Sequence, residues 1–142
     1  MPIKTQTSWD CRDANTSALW WAEALEWEFE ALDPAWFAQL REAGHCNDAD
    51  VTTLPDGRLS WREGAAIHHP TEPNQRMYFQ TVPEPKLAKN RLHIDLHVGP
   101  ELVAETKQRL IGMGASFVAA HSQGPYSWVV MQDPDGNQFC IA

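Results

Sequence analysis

Apolar and polar residues in this chain fall into short alternating runs, interrupted by stretches whose apolar positions recur at helical spacing. Residues 3–11 alternate imperfectly and predict a first strand. Behind Asp13, a suitable N-cap, the set Leu19, Trp20, Ala22, Ala24 and Leu25 predicts a helix laid on a sheet. Residues 27–32 read as the next strand. Asp33-Pro34 pairs a capping side chain with proline at the first helical position, so a helix over 34–43 should follow and stop at Gly44. The turn Pro55-Asp56-Gly57 joins 51–53 to 59–61 as a hairpin, and 77–82 forms another strand.

The second half repeats the first. The run Gln6-Thr7-Ser8-Trp9-Asp10-Cys11-Arg12-Asp13 leads into an apolar helical stretch, and so does His93-Ile94-Asp95-Leu96-His97-Val98-Gly99-Pro100. A helix over about 101–113 ends at Gly114, a strand runs through Phe117, and 128–132 and 138–141 form a closing hairpin around Asp133-Pro134-Asp135-Gly136-Asn137. The order is βαβββ written twice, an α+β single domain over 1–142. Module 1 spans about 3–82 with a helical insertion at about 34–44, a linker covers about 83–91, and module 2 spans about 92–142.

Strand side chains alternate between faces, so a helix-covered sheet keeps its apolar set on one side. In module 2 that set is Leu92, Ile94, Leu96 and Val98, leaving His93, Asp95 and His97 on the opposite face. In module 1 Thr7, Trp9 and Cys11 face the helix, and Gln6, Ser8 and Asp10 point away. Met77 and Phe79 go inward with Tyr78 and Gln80 outward; on the last strand Phe139 and Ile141 go inward, with Gln138 and Cys140 on the other side. If two half-sheets curve toward each other, one concave polar surface collects Gln6, Asp10, Tyr78, Gln80, His93, Asp95, His97, Gln138 and Cys140. A solvated open face is the alternative reading of the same pattern.

Charge and cysteine content narrow the partners. A net charge of −8 argues against nucleic acid. Three separated cysteines without CxxC spacing suit a reducing compartment, and no run of 18 apolar residues or apolar leader is present, so the expectation is a cytoplasmic protein off the membrane. Lys86, Lys89 and Arg91 concentrate positive charge in the linker, where they can steer an anion or simply be solvated. Trp61, Trp128 and Tyr78 can wall a planar ligand, although most of the seven tryptophans should be core. His68-His69 resembles a metal pair, but strand neighbours point to opposite faces.

The βαβββ repeat, the His93-Ile94 pair, the Asp133–Asn137 turn, Leu19-Trp20-Trp21-Ala22-Glu23-Ala24-Leu25 and the segment from Tyr78 to Leu96 resemble the vicinal oxygen chelate superfamily, within it the glyoxalase-like domain group. One departure is Glu26, where a glycine commonly ends the first helix. The resemblance implies a cup-shaped mixed sheet with helices on its outer face, often in homodimers. In metal-using members a divalent ion sits in the cup, held by His or Gln on each first strand and Glu on each last strand. Those positions fall here on Gln6, His93, Gln80 and Cys140, so both carboxylates are replaced.

Two amides, one imidazole and one thiol neutralise little of a dication's charge. The expectation is therefore no metal cofactor, with a divalent ion as the alternative. The function expected is binding of a small molecule between the modules, as in the drug-sequestering members of this superfamily. The competing readings are a lyase, isomerase or dioxygenase using His93 as acid–base catalyst, and a protein that serves only dimerisation or regulation. Gln6, Asp10, Tyr78, Gln80, Asp95, His97 and Cys140 are the candidate ligand-binding residues.

Overall fold

The computed structural model describes all 142 residues, in two compact units, Met1–Pro83 and Glu84–Ala142. The first unit runs β1 (Thr7–Cys11), α1 (Ala14–Leu25), β2 (Glu28–Phe29), α2 (Pro34–Glu42), a 3-10 turn (Asp48–Asp50), β3 (Val51–Thr53), β4 (Leu59–Trp61), β5 (Gly64–His68) and β6 (Arg76–Thr81). The second runs β7 (Asp95–Leu96), α3 (Val103–Gly112), β8 (Ser116–Gln123), β9 (Tyr126–Gln132) and β10 (Gln138–Ile141). Their main sheets are ordered β1-β6-β5-β2 and β7-β10-β9-β8. In each, the first strand lies parallel to the last and the remaining pairs are antiparallel. The sequence repeat is therefore a repeat of topology: the architecture is α+β, a βαβββ module used twice.

Local chemistry sets the helix ends. The Asp13 carboxylate accepts from Thr16 N at 2.7 Å, and Asp33 accepts from Ala35 N at 3.0 Å ahead of Pro34. Helix α1 ends on Glu26 in the left-handed region (φ 58°), the conformation glycine adopts without a steric penalty. Helix α1 lies on β5 and β6 and buries Ala14, Ala18 and Trp21 completely. Trp9, Cys11, Met77 and Phe79 are buried as the alternation requires, with Trp9 opposite Phe79 in register.

Several sequence expectations need correction. The hairpin at 51–61 is a separate two-stranded sheet, and the third place in the main sheet belongs to β5. The elements between β2 and β5 thus include α2, the 3-10 turn and this hairpin. They share a small core of Leu32, Phe37 and Val51, with Cys46, Leu59 and Trp61 packed against it. The first strand starts at Thr7 and the second covers only two residues. Leu92 is 86% exposed, so the inward apolar set of module 2 begins at Ile94. Gln138 and Cys140 are buried along with Phe139 and Ile141, Gln138 against Asn90 and Cys140 beside His93.

Candidate functional site

In the second module the Asp133–Asn137 turn builds the site indirectly. Asp133 is buried, and its Oδ1 accepts from the backbone N–H groups of Asp135 and Asn137, both at 2.9 Å. Gly136 takes φ 85°, which the tight return requires. The turn then presents Asn137 Oδ1 to Asn90 Nδ2 (3.2 Å), while Gln138 Oε1 accepts from Asn90 N (2.8 Å). Asn90 is thereby clamped three residues before His93. It was not among the candidate residues; its signal was a lone amide in a charged linker.

His93, Asp95 and Cys140 come together. His93 Nδ1 lies 3.2 Å from Asp95 Oδ1 and 4.0 Å from Cys140 Sγ, and Asp95 is the register partner of Cys140 across the parallel pair. His93 and Asp95 are exposed, whereas Cys140 is only 7% exposed. Burial first, and then the Asp95 carboxylate, push the Cys140 thiol up from its ordinary range, with Lys89 opposing weakly. The thiol lies beside an imidazole–carboxylate pair. His97 is exposed beyond β7 and joins no part of this cluster.

In the first module the candidates divide. Gln6 lies just ahead of β1, and its Oε1 accepts from Arg76 Nη1 at 2.6 Å. Arg76 also grips Glu30 through both carboxylate oxygens at 2.8–3.1 Å, and His68 lies 3.2 Å from Glu28 and from Glu30. The Arg76 hydrogen bond, more than any other influence, holds the Glu30 carboxyl below its usual range despite partial burial. Asp10 and Gln80 are exposed register partners on β1 and β6. Tyr78, half-buried, lies over Gly64, where any Cβ would overlap its hydroxyl. Arg76 and Glu30 were also missing from the candidate set; nothing local to either residue signals their pairing.

These donors do not suit the four-ligand centre of the metal-using superfamily members. Gln6 already gives its oxygen to a guanidinium, a cation where a second cation would have to bind, and Cys140 puts a soft sulfur where a hard cation takes a carboxylate oxygen. The residues His93, Asp95 and Cys140 alone offer three donor atoms, all within 4.8 Å of one another.

No curated protein matches the chain. Among solved structures it is similar to the genomically encoded fosfomycin resistance protein FosX from Listeria monocytogenes, determined with Mn(II) and sulfate (TM-score 0.65, 9% identity, 99% of this chain and 89% of that one). It is also similar to a hypothetical protein from S. aureus (0.61, 14%, 99% and 96%) and a glyoxalase family protein from Bacillus cereus (0.59, 12%, 99% and 93%). At such identities the likeness establishes the fold alone. The match of residues 6–142 to the family described as a glyoxalase-like domain goes further. With the repeated βαβββ topology, it makes this chain a member of the glyoxalase-like domain family of the vicinal oxygen chelate superfamily.

Proposed function

We propose that this protein binds a small polar molecule through the His93–Asp95 pair of its second module, without the four-ligand divalent metal centre. The observation that carries the reading is the exposed imidazole with Nδ1 against a carboxylate at 3.2 Å. Asp95 favours the tautomer with the proton on Nδ1, leaving Nε2 to accept from a ligand hydroxyl or amide. Lys86, Lys89 and Arg91 place positive charge in the segment just before His93, which favours ligands with an anionic group. His97 belongs to the proposal as a further ligand contact of the second module, Asp10, Tyr78 and Gln80 as contacts that the first module offers by itself, and a homodimer as its assembly state, read by sedimentation velocity.

A thermal-shift screen of polar and anionic metabolites tests it. A ligand at a hundred times its dissociation constant adds about 2.7 kcal/mol. The expected result is a stabilising compound whose effect disappears in His93→Ala and falls in Asp95→Asn. A stabilising compound indifferent to both substitutions would refute the assignment.

A second reading, acid–base catalysis at His93 with or without a cation of the zinc type, is favoured by the three clustered donors. Stoichiometric zinc in protein purified without chelator, lost in His93→Ala, would select it.

A further inference from the structure

The first module contains a cavity of about 520 Å³ that the His93 cluster does not use. It opens among the elements between β2 and β5 and the strands β5 and β6, and lies within the size range of small-molecule sites. Its lining includes Leu40, Cys46, Trp61, Arg62, Glu63 and Tyr78.

Three features define its chemistry. Two aromatic side chains line it, and both are held in place. Trp61 packs on the small core beside α2, edge to face with Phe37 at 6.2 Å. Tyr78 lies across Gly64, a position where only glycine leaves room for the phenol. The Arg62 guanidinium is fixed by the backbone, Nε donating to Ala49 O (2.9 Å) and Nη2 to Val51 O (2.7 Å). It has no carboxylate partner, so its charge is unneutralised and its Nη1 donors are free. Glu63 follows it with an unpaired carboxylate, whereas the nearby Asp50 carboxylate is already occupied by Asn47 N at 2.8 Å.

Aromatic faces, an immobilised cationic fork and a free anion in one cavity suit a ligand with a planar ring, a carboxylate and an ammonium group. We infer that this cavity binds a free aromatic amino acid. The ring stacks against Trp61 and Tyr78, the carboxylate accepts from Arg62, and the ammonium group donates to Glu63. Neither His93 nor Asp95 lines this cavity, and Tyr78 is the one residue it shares with the ligand contacts proposed above.

Calorimetric titration of the full chain tests it with three probes: L-phenylalanine, 3-phenylpropanoate, which lacks the ammonium group, and phenethylamine, which lacks the carboxylate. L-Phenylalanine should bind with one-to-one stoichiometry and each truncated probe about tenfold more weakly, since each leaves a charged group of the cavity unpaired. Glu63→Gln, a surface change that leaves the core intact, should weaken L-phenylalanine but not 3-phenylpropanoate. Gly64→Ala should displace Tyr78 and weaken all three. His93→Ala should leave L-phenylalanine binding unchanged. The inference is overturned by absence of saturable heat up to about 10 mM L-phenylalanine, well beyond the weakest affinity such a site would have. It is equally overturned by a truncated probe that binds as tightly as the zwitterion, by binding unaffected in Glu63→Gln, or by binding lost in His93→Ala.

Discussion

Arg76 ties the start of the first module's sheet together, and its removal has a calculable cost. Its guanidinium donates to both Glu30 oxygens and to Gln6, linking groups that flank β1, β6 and β2. The side chains of Arg76 and Glu30 retain 38% and 32% of their exposure, so solvent screens the pair. Exposed pairs are worth about 0.2–1 kcal/mol, and the bidentate geometry puts this one near the upper end, about 1 kcal/mol. Glu30 has its carboxyl lowered relative to the unfolded chain. The stability it contributes is therefore present above the unfolded carboxyl range, about pH 4.5, and is lost as the pH falls through its lower folded value. Urea unfolding of wild type, Arg76→Ala, Glu30→Gln and the double variant should give a coupling of about 1 kcal/mol at neutral pH, smaller in high salt. The coupling should vanish once Glu30 is protonated. Strict additivity at neutral pH, or coupling that survives acidification, would refute the reasoning.

Other consequences are equally open to measurement. Glu26→Gly should raise stability by about 1 kcal/mol in thermal or urea unfolding, because Glu26 holds a left-handed conformation that costs a residue with a Cβ. Asp133→Ala removes the acceptor for two backbone N–H groups in a buried turn and should cost about 2 kcal/mol by the same assay. Cys140 should alkylate slowly at neutral pH, its rate rising only above the ordinary thiol range. Asp95→Asn should move that rise to lower pH, as iodoacetamide kinetics would show.

Much of the fold is legible along the chain because duplication preserves which residues face inward. The alternation at Trp9, Cys11, Met77 and Phe79 is carried directly into burial. Strand β5 is harder to read: Gly64, Ala65 and Ala66 carry little strand preference, while Pro55-Asp56-Gly57 draws attention to the neighbouring hairpin. The placement of His93 and Asp95 on one face follows from their spacing of two. The Gln6–Arg76–Glu30 chain does not, since its members meet only through the crossover order β1-β6-β5-β2. The burial of Cys140 is hidden for a related reason: His93 and the Asn90 segment lie over the second face of β10, and two-residue periodicity cannot report that cover.

The claim on which the functional reading rests is that His93 and Asp95 act without the hard-cation centre of the metal-using relatives. Titration of Mn(II) into chelator-treated protein, followed by calorimetry, addresses it most directly. The donor set predicts no saturable binding below about 1 mM, since an amide and a thiol stand at Gln80 and Cys140, Gln6 is engaged by Arg76, and Asp95 is the single carboxylate beside His93. One equivalent of Mn(II) bound at micromolar affinity, and lost in both Gln6→Ala and His93→Ala, would contradict it.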